Sequence, residues 1–180
     1  MFHNPTVKEV IQMSSFKTKR IHRTHQVAIQ APVDKIFPLA CPIEEYKWID
    51  DWQCEMIYSE GGKNENNCVF SEEMSAPALL PSAGLGSTVW YTTLWDTEGH
   101  RVHFALVKSL SIAKVEAEMK GQGDGNTLVR WDFTVTAVNE EGNRHMGDAT
   151  ADGMTAMLTF LADSLKHYCE TGEILRGGGS

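Results

Sequence analysis

A chain of 180 residues, 42% of them hydrophobic, is long enough for one domain with a real core. Its 24 acidic and 16 basic residues give a net charge of -8, with the only basic gathering at Lys17, Lys19, Arg20 and Arg23, which argues against a nucleic-acid partner. No apolar run approaches the ~20 residues that span a bilayer and the first residues lack the apolar centre of a secretory signal, so no integral membrane segment and a cytoplasmic location are expected.

Residues 1–20, with a helix-compatible stretch at Thr6 to Met13, read as a poorly packed N-terminal extension. From Ile21 to Gln30, the residues Ile21, Arg23, His25, Val27 and Ile29 share one phase, which predicts a strand entering the core. Pro32 suits the first turn of a helix, and Pro38 and Pro42 divide the next stretch into two short helices, about 32–40 and 42–48. Trp52 to Glu60, the turn Gly61-Gly62-Lys63-Asn64 and Cys68 to Glu73 read as a hairpin with a longer loop. Residues 74–86 combine Pro77, Pro81, Gly84 and Gly86 with Ala78, Leu79, Leu80 and Leu85, a loop with an apolar surface.

Ser87 to Asp96 and His100 to Val107, joined by Thr97-Glu98-Gly99, are two further strands. Ile112 to Lys120 alternates Ala113, Val115, Ala117 and Met119 against Lys114, Glu116, Glu118 and Lys120. After a glycine-rich turn at 121–126, Thr127 to Ala137 alternates Val129, Trp131, Phe133 and Val135 against Arg130, Asp132, Thr134 and Thr136. One long amphipathic helix is then expected from about Asn143 to Thr171, with Met146, Ala149, Gly153, Met157, Phe160 and Leu161 near one side. Residues 176–180, ending in Gly177-Gly178-Gly179-Ser180, are expected to be a flexible tail.

A meander of consecutive strands needs a cover for its apolar face, and the C-terminal helix is the one predicted element long enough to provide it. This order, with Ala31-Pro32-Val33-Asp34-Lys35-Ile36-Phe37 after the first strand and Pro42-Ile43-Glu44-Glu45-Tyr46-Lys47-Trp48-Ile49 leading into Trp52, resembles the START-like, helix-grip superfamily that includes the polyketide cyclase-like SRPBCC proteins. The likeness covers about Ile21 to Leu175. It implies an α+β helix-grip domain over residues 21–175, in which a curved antiparallel seven-stranded sheet wraps around the long helix and a deep pocket lies between them. The superfamily includes lipid carriers, hormone receptors, cyclases and ring-hydroxylase subunits, so the resemblance implies a cavity without specifying a reaction.

Small residues and methionines in the helix agree with a cavity beneath it, and equally with close helix–sheet packing. The expected ligand-binding wall comprises Cys54, Met56, Phe70, Tyr91, Phe104, Trp131, Phe133, Met146, Ala149, Gly153 and Met157. Either Trp90 or Tyr91 must face inward, because neighbours in a strand alternate. His25 shares the phase of Val27 and Ile29, and Glu72 that of Cys68 and Phe70, which makes them the candidate acid–base pair. Each also has a structural reading, His25 as a hydrogen-bonded strand residue and Glu72 as a solvated strand end.

No metal or cofactor is expected. His22/His25 and His100/His103 have a three-residue spacing, but on strands such pairs point to opposite faces. Cys41, Cys54, Cys68 and Cys169 form no Cys-x-x-Cys pair and read as free buried thiols. Gly-x-Ser-x-Gly is absent, and Gly121 to Gly125 joins two strands without opening a helix, so neither a serine hydrolase elbow nor a phosphate loop is indicated. The first functional reading is a binder of a small hydrophobic or aromatic molecule. The second is a cyclase- or dehydratase-like enzyme using His25 and Glu72. The third is an interaction module whose 74–86 loop docks a partner or a second copy of the chain as a homodimer.

Overall fold

The computed structural model describes residues 16–73 and 88–176. The Thr6 to Met13 stretch, the apolar 74–86 loop and the Gly177 to Ser180 tail fall outside the described residues.

Seven strands form one antiparallel sheet: β1 (Arg20–Ile29), β2 (Gln53–Tyr58), β3 (Val69–Glu73), β4 (Thr88–Asp96), β5 (Arg101–Val107), β6 (Ser111–Gly123) and β7 (Asn126–Ala137). Their order across the sheet is β1-β7-β6-β5-β4-β3-β2. Sequential strands therefore pair as a meander, while β1 returns to the outer side of β7, from Arg20 opposite Thr136 to Ile29 opposite Thr127. The predicted alternations set the faces: Val129, Trp131, Phe133 and Val135 of β7 are buried with Ala113, Val115, Ala117 and Met119 of β6, whereas the charged phase of both strands points outward. Lys114–Glu116 and Arg130–Asp132 ion pairs lie on that outer face.

The short helical region is tighter than expected. A single turn, α1 (Val33–Ile36), runs into a 3-10 segment at Phe37–Ala40, and a second 3-10 segment covers Glu45–Lys47. Two buried indoles hold this region down: Trp48 Nε1 donates to Leu39 O at 2.9 Å and Trp52 Nε1 donates to Pro42 O at 2.8 Å. Full burial of a side chain of this size contributes on the order of 2–3 kcal/mol, and the indole hydrogen bond removes the penalty for its one polar atom.

The single helix expected from Asn143 is two helices, α2 (Glu140–His145) and α3 (Asp148–Thr171), separated where Met146 leaves helical geometry and extended Gly147 caps α3. Asn139 caps α2, its Oδ1 accepting from Gly142 N at 2.8 Å while its Nδ2 donates to Ser109 O at 2.9 Å. Gly142 is required by proximity, since a Cβ there would lie 2.1 Å from the Leu110 carbonyl oxygen. At the far end, Gly172 with φ 79° closes α3 in the left-handed conformation.

The buried stripe of α3 is Ala151, Met154, Leu158, Ala162 and Leu165, at spacings of three and four. It packs chiefly along β1 and secondarily on β7. Phe160 and Leu161, expected near one side of the helix, are partly buried and pack against the core beside this stripe. Phe16 also packs against the core, and Asn143 pins the chain before β1, accepting from Lys19 N at 2.8 Å and donating to Lys17 O at 2.9 Å. Residues 16–19 are thus attached to the domain.

Candidate functional site

Because α3 lies over the β1–β7 side, the middle strands are covered on their inner face by the short segment from Glu45 to Trp52. A partly open cavity of about 70 Å³ remains between these covers. Glu45, Ile49 and Trp52 form its roof, and Met157 and Leu161 of α3 close one side. The sheet contributes Phe70 and Glu72 from β3, Trp90 from β4, Phe104 from β5, Val115 from β6 and Trp131 from β7. Phe70 and Phe104 meet edge to face across β4, with ring centres 5.5 Å apart.

Two carboxyls interrupt this apolar wall. Glu45 is 9% exposed and has no ion pair or hydrogen bond to its carboxyl among the described residues. Burial, reinforced by the neighbouring negative charge of Glu72, holds its pKa well above the usual carboxylate range. Burial likewise pushes Glu72 up to about 7, while the Trp90 indole and Lys108 act in the opposite direction without offsetting it. Cys54, directly across from Glu72 on β2, is raised to about 11 by burial and then by the charge of Glu45, so it is a neutral thiol. Trp90 Nε1 and Trp131 Nε1 are buried without a hydrogen bond of ordinary geometry, although the Trp90 indole is near enough to Glu72 to favour its charged form. The cavity wall thus combines two weakly acidic carboxyls with aromatic side chains, two of which carry buried indole N–H groups.

The structure brings Phe70, Glu72, Phe104, Trp131 and Met157 together as expected residues of one wall. Tyr91 does not join them: it is 42% exposed and its hydroxyl donates to Asn67 Oδ1 at 2.5 Å, leaving the inward place to Trp90. Strand alternation forces that exchange, because Trp90 and Tyr91 cannot share a face. Cys54 and Met56 are partly buried beside the cavity without lining it, and Met56 Sδ accepts from Cys68 Sγ at 3.0 Å. Phe133 and Met146 are buried in the core away from the cavity, Gly153 is partly buried outside its wall, and Ala149 is exposed in the first turn of α3.

His25 keeps its inward phase, opposite Trp131, but it lies on edge strand β1 and is not part of the cavity wall. The two carboxyls that do line the cavity are those of Glu45 and Glu72. His22 is on the outer face, with Nδ1 3.0 Å from Thr134 Oγ1 and Nε2 3.2 Å from Asp132. His100 occupies the turn before β5 with its ring edge-on to Phe37, and His103 stands 3.5 Å from Glu116. Among the described residues no group of three or more histidine, cysteine or acidic side chains is arranged to hold a metal ion.

Glu45, Ile49, Trp52, Val115 and Leu161 are wall residues not singled out from the sequence. A signal for Glu45 exists: Cys41, Glu45, Trp48, Ile49 and Trp52 recur at three- and four-residue spacing, placing one carboxyl on an otherwise apolar stripe.

Comparison with known proteins agrees with this architecture. The family model for polyketide cyclase / dehydrase and lipid transport matches residues 20–170. A search of the curated proteins gives no match. Among solved structures, a norcoclaurine synthase point mutant from Thalictrum flavum in complex with a transition-state analogue superposes with a TM-score of 0.60 at 11% identity, covering 87% of this chain and 98% of that one. A START superfamily protein from Mycobacterium smegmatis gives 0.60 at 14% identity, over 83% and 97% of the two chains. The Zhui aromatase/cyclase from a Streptomyces species gives 0.59 at 8% identity, over 87% and 100%. At such identities the structural likeness is one of fold. With the family match spanning the sheet and nearly all of α3, the chain belongs to the polyketide cyclase / dehydrase and lipid transport family of the START-like, helix-grip superfamily.

Proposed function

We propose that this protein binds a small hydrophobic molecule between the sheet and α3, with the ligand's apolar body against Trp52, Phe70, Trp90, Phe104 and Trp131. The observation that carries this reading is the aromatic-walled cavity of about 70 Å³. Burial of an aromatic ligand there removes its apolar surface and that of several rings from water, at roughly 25 cal/mol per Å². The volume is about half of the ~150 Å³ in which an engineered cavity takes up benzene, so a single ring or the tip of a longer molecule is the appropriate size, part of it remaining in the open mouth. Met157 on the side wall supplies an adaptable contact.

Titration with toluene, followed by tryptophan fluorescence and thermal unfolding, tests this reading. Saturable quenching with a rise in melting temperature is expected in the parent protein and is lost when Val115→Phe fills the cavity. Absence of a saturable response to toluene and to other single-ring compounds overturns it.

The second reading is an enzyme acting on a carbonyl-bearing substrate. Its support is the carboxyl pair: a protonated Glu45 can donate to a carbonyl oxygen, and Glu72, raised to about 7, is placed to exchange a proton near neutral pH. In this reading Glu45 takes the place of His25 as the partner of Glu72. Loss of turnover with ligand binding retained in Glu72→Gln supports it; unchanged turnover overturns it.

A further inference from the structure

Binding of a hydrophobic molecule in the cavity leaves that molecule's charge open, and the charge preference derived next rests on that binding. Glu45 and Glu72 face one cavity from different elements, and among the described residues neither takes part in an ion pair. The groups acting on them are few. Cys54 neighbours both from β2 as a neutral thiol, while the Trp90 indole and then Lys108, between β5 and β6, favour the charged form of Glu72 more weakly than burial opposes it. Near neutral pH the pair, through Glu72, therefore carries partial negative charge that no ion pair among the described residues compensates.

Two further observations point to an occupant. The indole N–H of Trp131, a residue 3% exposed, has no hydrogen-bond partner among the described residues, and that of Trp90, 8% exposed, is directed no further than Glu72. The remaining wall is made largely of ring faces and edges. A purely apolar molecule answers neither the carboxyls nor the indoles. A neutral alcohol or ketone answers the indoles and leaves the negative charge uncompensated. An ammonium group meets the carboxylates directly, is attracted to the faces of tryptophan and phenylalanine rings, and leaves any oxygen on the same molecule free to accept from an indole.

We propose that the cavity selects a small protonated amine on an aromatic or short aliphatic skeleton, held by Glu45 and Glu72 and surrounded by the rings of Trp52, Phe70, Trp90 and Trp131. The cation stabilises both carboxylates, so its binding is coupled to release of a proton from the pair.

Benzylamine, benzyl alcohol and toluene share a ring and differ in head group. In calorimetric titrations of the full chain at about pH 8, benzylamine binds at least about tenfold more tightly than benzyl alcohol, as expected for a charge met inside a cavity of low polarity. At about pH 5.5, with Glu72 protonated, most of that preference is gone. Glu72→Gln and, independently, Glu45→Gln each reduce benzylamine affinity at about pH 8 by about tenfold. Binding of benzyl alcohol or toluene as tightly as benzylamine at both pH values overturns this inference while leaving the hydrophobic-ligand reading in place. Failure of all three to bind overturns both.

Discussion

Replacing Glu72 by glutamine should stabilise the folded protein, and by an amount that depends on pH. The carboxyl has its ordinary value of 4.5 in the unfolded chain and titrates at about 7 when folded, because burial disfavours its charge. Between those limits the folded state keeps a proton that the unfolded state releases, so stability falls as pH rises from 4.5 towards 7 and changes little beyond. At about 1.4 kcal/mol per pH unit, the full cost of ionising Glu72 in place is about 3 kcal/mol, and its residual exposure reduces the expected figure to about 2–3 kcal/mol. Glutamine preserves shape and removes the ionisation. It also relieves Glu45, whose pKa is raised in part by the charge of Glu72. Urea unfolding followed by tryptophan fluorescence should show Glu72→Gln to be more stable than the parent by about 2–3 kcal/mol at about pH 8, shrinking below about 1 kcal/mol at about pH 5. His103, depressed chiefly by burial, contributes the opposite slope near pH 6, but equally in both proteins, so it cancels in the difference. An equal difference at both pH values, or a parent more stable than the variant at pH 8, refutes the reasoning.

Gly142→Ala forces a Cβ to within 2.1 Å of Leu110 O, a backbone atom that cannot rotate away, and should lower stability by about 2–3 kcal/mol in the same urea assay. Asn139→Ala removes the α2 cap together with the bond to Ser109 O, and a loss of about 1–2 kcal/mol with faster amide exchange in residues 140–145 is expected. His25→Ala, outside the cavity wall, should leave toluene affinity within about twofold of the parent; a loss of about tenfold or more would return His25 to the site.

The patterns legible in the sequence are those under the strongest physical constraint. Residues 112–120 and 127–137 alternate cleanly because one face is buried and the other meets water, and they form β6 and β7 with the expected faces. Less legible was Thr88 to Asp96, where the buried phase holds both Trp90 and Thr92, and Thr92 is fully buried because its hydroxyl donates to Asn64 Oδ1 at 2.6 Å. A polar residue satisfied by a partner 28 positions away leaves no local trace, so Tyr91 read as the inward aromatic. The break at Met146 and Gly147 was hidden because an amphipathic pattern continues across it. Glu45 lies in a 3-10 segment of three residues, and the apolar spacing around it, from Cys41 to Trp52, extends beyond any single helix, which obscured the one carboxyl on that stripe.

The return of β1 to the far side of β7 shapes how the chain is made. Strands β2 to β7 pair with sequence neighbours and can assemble as they emerge from the ribosome, whereas Arg20 must wait for Thr136 to be synthesised before it finds its partner. The helix that rests mainly on β1 comes later still. Until then the inner face of β7, with Val129, Trp131 and Phe133, lacks the cover of α3. The interval between synthesis of β7 and docking of α3 is therefore the period of greatest exposure to misassociation in the life of this protein.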